Sequence, residues 1–390
     1  MIVRSARQLR VPAVFMRGGT SNAIIFHARN LPDDEVERHR IFLRAIGSPD
    51  PGRRQLDGLG GGASSLSKIC VIEPSSRPDA DVDYTFVQIP VTTDVPDYSA
   101  NCGNMSSAIG PFAVEEGLVP AKDGEAVVRI HNTNTSKIIE SRFQVCDGVP
   151  LVDGDFVNPG VAGTGSPIQL DFLDPGGAAT ERLLPTGNAL DRLEGGSIEG
   201  AVEASLVDAT NAVVFIRAEA VGLTGYETPD EIESRDDSLQ RLEAIRRVAS
   251  VRMSLSADFD AAARLAGSPK IAMIATPRSY ISTAGERITV DDFDIAVRMI
   301  SMGQAHRAVT LTGAMCTAVA SRITGSCVAD TLRASSSETV RIGHASGVMP
   351  VKARVAHGET GWKVDRATVF RTARRMMEGC VLIPAPAGNG

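Results

Sequence analysis

Short apolar runs closed by glycine, proline, asparagine or aspartate dominate the first half of the chain. Residues 11–27, VPAVFMRGGTSNAIIFH, are two such runs around a Gly-Gly turn, which predicts a hairpin. Residues 32–50, PDDEVERHRIFLRAIGSPD, open on acids, space their apolar side chains for one helical face and stop at Gly-Ser-Pro. That pattern predicts an amphipathic helix. Strands are expected in DGLGGGASSLSKICVIEP, VDYTFVQIPV, EAVVRIHNT, SKIIESRFQV and SPIQLDFLDP. Among them Asn104–Gly117, NMSSAIGPFAVEEG, is apolar on most sides and is expected as a buried helix.

The second half follows a similar plan. Leu184–Leu193 reads as a connector, and strands resume in SIEGAVEASLVDATNAVVFIRAEAVGL. The Glu-, Arg-, Ala- and Leu-rich stretch from Pro229 to Leu265 predicts one or two surface helices, and IAMIATP a strand. From Asp291 to Ile323 helix is expected, with MGQAHRAVTLTGAMCTAVASRI as a second buried one. VRIGHASGVMPVKARV and MMEGCVLIP close the chain as strands. Each half thus carries one buried helix reached through a polar, glycine-containing turn: NCGN at Asn101–Asn104 and SMGQ at Ser301–Gln304. The expectation is an α+β protein of two similar domains, residues 1–188 and 189–377, with a strand at 378–390 returning to the first.

Length agrees with this, since 390 residues exceed the span of one hydrophobic core. Aromatics at 4%, against 37 glycines and 21 prolines, favour an aliphatic, turn-rich, strand-rich build. A formal charge of −7 without a dense basic run argues against nucleic acid or an anionic membrane as partner, because neutralising phosphates takes clustered Lys and Arg. A small anionic ligand stays compatible, since helix ends and single cations can hold it. The six cysteines show no C-x-x-C pair and no zinc spacing, so reduced thiols, a cytoplasmic location and no metal are expected. The N-terminus is basic, but its apolar stretch from Val11 to Met16 is interrupted by Pro12 and too short for a signal peptide, and no run of about 20 apolar residues offers a membrane span.

Three stretches could carry chemistry. Cys102, just ahead of a helix, would meet unpaired N–H groups and the positive end of the dipole beside Asn101, Gly103 and Asn104. Such a setting lowers a thiol's pKa; the alternative is a buried structural cysteine. DGLGGGASSLSK, Asp57–Lys68, lacks the G-K-[ST] of a P-loop and leads into a strand where a dinucleotide fold needs a helix. It reads as a carboxylate-binding loop, with Ser64, Ser65, Leu66 and Ser67 leading to Lys68, or as a surface turn. MRGGTSN sets Arg17 beside Thr20 and Ser21, where a guanidinium could clamp a carboxylate or merely be solvated. His306, placed one turn into the second buried helix, is of a kind more often structural than catalytic. A Cys102–His306 protease-like dyad has no local signature.

Together, MRGGTS at Met16–Ser21, GSPDP at Gly47–Pro51, QLDGLGGGASSLSK at Gln55–Lys68, DVDYTF at Asp81–Phe86, the NCGN helix at Asn101–Val119, LLPTGN at Leu183–Asn188 and SMGQAH at Ser301–His306 resemble the PrpF family. The motifs stand in that family's order over nearly the whole chain. The resemblance implies a diaminopimelate-epimerase-like fold: two similar domains, each a curved mixed sheet around a central helix, with the active site in the cleft between them. It implies a cofactor-independent isomerase that moves a proton along a small unsaturated di- or tricarboxylate such as 2-methylaconitate. Alternatives within the family are 4-oxalomesaconate tautomerase, 3-methylitaconate isomerase and aconitate isomerase.

Carried over by position, Lys68 and Cys102 are the proton-transfer pair, and Arg17, Ser64–Lys68, Lys270, Ser301 and His306 hold the substrate. Asn22 stands where the family often has Lys, and Arg307 where it commonly has a second His; both bear on which acid is used. Lys68 serves as a base only when neutral, so burial or a nearby cation, Arg17 or Lys270, is expected to depress its pKa. Helix N-termini at Asn101–Asn104 and Ser301–Gln304 are expected to aim N–H groups at the dienolate. Competing classes are a non-catalytic accessory protein of a methylaconitate-forming dehydratase and an amino-acid racemase, which would want a second cysteine at the second helix. The partners expected are a small anionic polycarboxylate and at most a second copy of the chain.

Overall fold

The computed structural model describes residues 3–4, 8–99, 101–198, 200–333, 337–359 and 361–384. Of the strand expected at 378–390, residues 385–390 therefore lie outside the described residues. The chain forms two compact units: one runs to Leu170 and resumes at Phe370, and the other spans Asp171–Val369.

The first unit is built on a mixed sheet. Strands β1 (Gln8–Gly18) and β2 (Ser21–His27) form the hairpin around Gly19–Thr20. Next, β3 (Lys68–Pro74) runs parallel to β2, and β4 (Val82–Gln88) antiparallel to β3. β5 (Gly124–Asn132) lies parallel to β4, and β6 (Lys137–Cys146) antiparallel to β5. The final strand, Ala373–Pro384, pairs antiparallel along the length of β1. Helix α1 (Glu35–Ile46) starts where Asp34 accepts a bond from the Glu37 N–H and stops at left-handed Gly47. Its buried residues Ile41, Phe42, Ala45 and Ile46 pack on Leu9, Val11, Ile24, Phe26, Ile69 and Ile383. Each large apolar side chain so buried is worth about 1.5–3 kcal/mol.

Helix α2 (Gly103–Glu115) is buried along its whole length from Gly103 to Val114, so it can only be slim. A Cβ on Gly110 would stand 2.6 Å from the Ser141 hydroxyl. The buried hydroxyls bond within the helix, Ser106 donating to the Cys102 carbonyl at 3.2 Å and Ser107 to that of Asn104 at 2.7 Å.

In the second unit β7 (Val202–Ala209) and β8 (Asn211–Arg217) form an antiparallel pair. Three helices follow, α3 (Pro229–Glu233), α4 (Asp236–Arg252) and α5 (Phe259–Arg264), where one or two were expected. The extra breaks arise because Thr228 closes a capping box with Glu231 and Asp258 caps α5. β9 (Lys270–Ala275) is parallel to β8, and β10 (Ile295–Ser301) antiparallel to β9. Strand β11 (Gln304–Ala305), helix α6 (Leu311–Ala320) and helix α7 (Cys327–Thr331) come next. β12 (Thr339–His344) is parallel to β10, and β13 (Gly347–Gly358) antiparallel to β12. With the short β11 set aside, the directions from β7 to β13 match those from β1 to β6 step for step, so β9 answers to β3, β10 to β4 and α6 to α2. Strand β14 (Gly361–Arg371), which pairs with β13, was not anticipated.

The second buried helix is shorter than expected. Residues 295–301 form a strand, buried on both faces from Ile295 to Ile300, and a run sealed on both sides carries neither a helical nor an alternating period. Ser301–Gln304 is consequently the turn of the β10–β11 hairpin, with Met302 and Gly303 at φ 55° and 73°. It is not a helix N-terminus, and His306 precedes α6 instead of lying within it.

Candidate active site

Cys102 is the N-cap of α2, and its side chain makes no capping hydrogen bond, in keeping with sulfur's weakness as an acceptor. The β1–β2 turn presses against this first helical turn. A Cβ on Gly18 would meet the Asn104 carbonyl oxygen at 2.6 Å, and one on Gly19 the Asn104 Oδ1 at 2.3 Å, so only Gly-Gly fits there. Asn104 Nδ2 donates to Thr20 Oγ1 at 3.1 Å. Arg17 Nη1 donates to the carbonyls of Gly19 and Thr372, both at 2.9 Å, tying the turn to the start of the final strand. Burial, and then the charge of Arg374, lower the Arg17 pKa. Ser21 is buried, and so is Asn101, whose Oδ1 has no hydrogen-bond partner among the described residues.

A second guanidinium, unforeseen in the sequence, stands at this helix end. Arg371 Nε donates to Asn104 Oδ1 at 3.3 Å, and burial lowers the Arg371 pKa to about 10. Its signal was a cation closing the apolar run ATVF, which looks like an ordinary strand end until register is known.

Lys68 is the first residue of β3 and is buried. Its Nζ donates to Gln88 Oε1 at 2.7 Å and lies 5.0 Å from the centre of the Phe86 ring. The loop before it holds a short turn at Ser64–Leu66, with Ser64 exposed and Ser65 and Leu66 half-buried. Ser67 is buried, and its hydroxyl bonds to Gln55 Oε1 at 2.7 Å and to the Ala63 carbonyl at 2.8 Å. The close approaches of this loop's glycines are to the chain itself. A Cβ on Gly58 would lie 2.2 Å from the Gly47 nitrogen, and one on Gly62 2.2 Å from the Arg53 carbonyl oxygen.

Lys68 and Cys102 both act on a third group, the Cys70 thiol. Cys70, two residues along β3 and on the same face as Lys68, is buried; burial drives its thiol pKa far up, and the Cys102 charge adds to that. Lys68 acts on the same thiol in the opposite sense. The neighbouring Tyr84 hydroxyl, 3.9 Å from Cys70 Sγ, is likewise raised by burial, by Cys70 and by Cys102. The Cys70 thiol thus feels both Lys68 at the start of β3 and Cys102 at the start of α2, and Tyr84 feels Cys102 as well.

In the second unit Lys270 is the first residue of β9 and is buried, with its Nζ donating to the Gly267 carbonyl at 3.0 Å. It holds the place that Lys68 holds in β3. Ser301 lies one step beyond the Ile271–Ile300 pair, opposite Lys270, as Gln88 lies opposite Lys68. His306 N–H donates to the Met299 carbonyl at 2.8 Å, and its Nδ1 accepts from the Ala308 N–H at 3.1 Å. At the N-cap of α6 stands Thr310, whose hydroxyl accepts from the Gly313 N–H at 3.1 Å. The cysteine of α6, Cys316, is buried within the helix, and burial pushes its pKa far up. Among the described residues no group of three or more His, Cys, Asp or Glu side chains could hold a metal ion, and no helix is long and apolar enough to cross a membrane.

Residues 8–384 match the family model described as PrpF protein. The chain is 43% identical over 379 residues to 3-methylitaconate isomerase of Eubacterium barkeri, covering 96% of this chain and 98% of that one. It is 38% identical to 2-methyl-aconitate isomerase of Shewanella oneidensis, covering 97% and 98%, and 35% identical to 4-oxalomesaconate tautomerase of Pseudomonas putida, covering 98% and 99%. Among solved structures, that of a methylitaconate-delta-isomerase superposes with a TM-score of 0.81 at 42% identity, covering 96% of each chain. A hydroxyproline epimerase from Agrobacterium vitis, at 12% identity, TM-score 0.53 and coverage of 100% and 96%, shares the epimerase-type α+β fold. The chain belongs to the PrpF family, and it is an isomerase.

Proposed function

We propose that this isomerase shifts a proton, and with it a carbon–carbon double bond, in a small unsaturated di- or tricarboxylate, with Lys68 and Cys102 as the proton-transfer pair and no cofactor taking part. The substrates named for its relatives, methylitaconate, methylaconitate and oxalomesaconate, all belong to that class. What supports the reading is the buried Lys68 at the start of β3, its amine held by Gln88, together with Cys102 at an N-cap that its side chain leaves unbonded, both residues acting on the Cys70 thiol.

In the reaction so written, one of the two groups takes a proton from the carbon next to the alkene. The electron pair left behind spreads through the alkene into the carboxylate as a dienolate. The other group returns a proton to the far carbon of the allylic system, and the double bond moves by one position. The open N–H groups of the first α2 turn and the buried Arg371 cation favour the dienolate charge. Each acid–base step contributes about 10²–10⁴-fold. A methylaconitate-type acid is the first substrate to try, with 3-methylitaconate, aconitate and 4-oxalomesaconate beside it.

The test is turnover of that panel by the purified protein alone, compared with Lys68→Ala and Cys102→Ser. The reading expects turnover of at least one acid and a loss of 10²-fold or more in each variant. No turnover without a partner enzyme would favour an accessory role, and full activity in both variants would end the assignment.

A further inference from the structure

Resting on Lys68 as a base, we infer that Gln88 is its positioning residue and that a neutral partner is what this position requires. Gln88 is the direct register partner of Lys68 across the β3–β4 ladder. Its amide has little freedom: Nε2 donates to the Ser64 carbonyl at 3.0 Å and to the Ser67 carbonyl at 2.9 Å. With the NH₂ end held by two carbonyls, the oxygen end must face Lys68 Nζ, and it accepts at 2.7 Å. Gln88 thereby links the Gly/Ser loop to the amine and holds a flexible four-carbon side chain in one place.

The choice of an amide has a chemical consequence. Among the described residues Lys68 forms no ion pair; around it stand Gln88, the Phe86 ring and the Cys70 thiol, with Tyr84 beyond Cys70. Both Cys70 and Tyr84 have their protonated forms favoured by burial. A carboxylate in place of the amide would be the first anion in hydrogen-bond contact with the amine and would favour the ammonium, which cannot accept a proton.

Three variants test this, each checked for a native far-UV spectrum. In Gln88→Glu the limb of kcat/KM that rises with pH as Lys68 loses its proton moves alkaline by about 1–3 units. In Gln88→Met, which keeps the volume without the charge, that limb stays or moves acid, while kcat falls at least tenfold and KM changes less than threefold. An unmoved limb in Gln88→Glu, or wild-type kcat in Gln88→Met, overturns the role of Gln88; if Gln88→Glu does not fold, Gln88→Met decides alone. Lys68→Ala separates this from the parent reading. If it remains active the base assignment fails, whereas an inactive Lys68→Ala beside wild-type-like Gln88 variants removes only the positioning role.

Discussion

Cys102 and Thr310 occupy the same structural position, the N-cap of the buried helix in each unit, and only Thr310 caps. A hydroxyl at such a site satisfies an N–H that a thiol leaves open. Cys102 is therefore a poor choice for helix stability, which makes sense if the open amides serve an anion.

Cys102→Thr is predicted to separate the two interests. A threonine capping α2 as Thr310 caps α6 would add about 1 kcal/mol, or about 2–4 °C in melting temperature, while activity falls at least 10²-fold. Calorimetry and turnover on one preparation check both halves.

Packing around α2 gives a stability prediction. Gly110→Ala places a methyl 2.6 Å from the Ser141 hydroxyl and 2.8 Å from the Phe143 ring, so it should cost about 1–3 kcal/mol. Gly358→Ala, where the space is open and φ is not left-handed, should be nearly neutral. Denaturant melts of the pair measure the difference.

Thiol reactivity should sort by exposure. Cys146 and Cys380 are exposed, whereas Cys70, Cys316 and Cys327 are buried with their pKa values raised by burial. At pH 8 the native protein should be alkylated quickly at the first two and only on unfolding at the last three, as read by peptide mass spectrometry.

Acid stability has a local contributor at the far end of α2. Burial works against ionisation of Glu116, but hydrogen bonds from Arg375 and His27, and their charges, outweigh it and hold its pKa below the ordinary value. A carboxyl depressed in the folded state adds stability above its unfolded pKa, about 4.3, and that contribution disappears as pH falls through the lower folded value. Glu116→Gln should be less stable than wild type at pH 7, with the gap narrowing below about pH 4.5, as followed by denaturant melts across pH.

Much of the first unit was legible from sequence because its elements announce their ends. Asp34 and Gly47 bracket α1, Gly-Gly marks the hairpin, and the small residues of α2 mark a helix with no room around it. The second buried helix was misjudged at SMGQ because a strand sealed on both faces and a buried helix both read as a run of small apolar residues. Lys68 and Cys102 were visible since each stands at an element's first turn or residue. Gln88 and Arg371 were not, because each sits at the end of a strand, and nothing in the chain says which side chain lies opposite until register is known. The duplication itself lives in strand directions, so sequence pattern could suggest it without fixing Lys270 as the counterpart of Lys68.

The most direct measurement is turnover of the unsaturated acid in deuterated water, with the product examined by NMR. Proton transfer through Lys68 and Cys102 predicts deuterium at the carbon that gains hydrogen, with both the label and the rate lost in Lys68→Ala and Cys102→Ser. Product formed at full rate without solvent deuterium would contradict it.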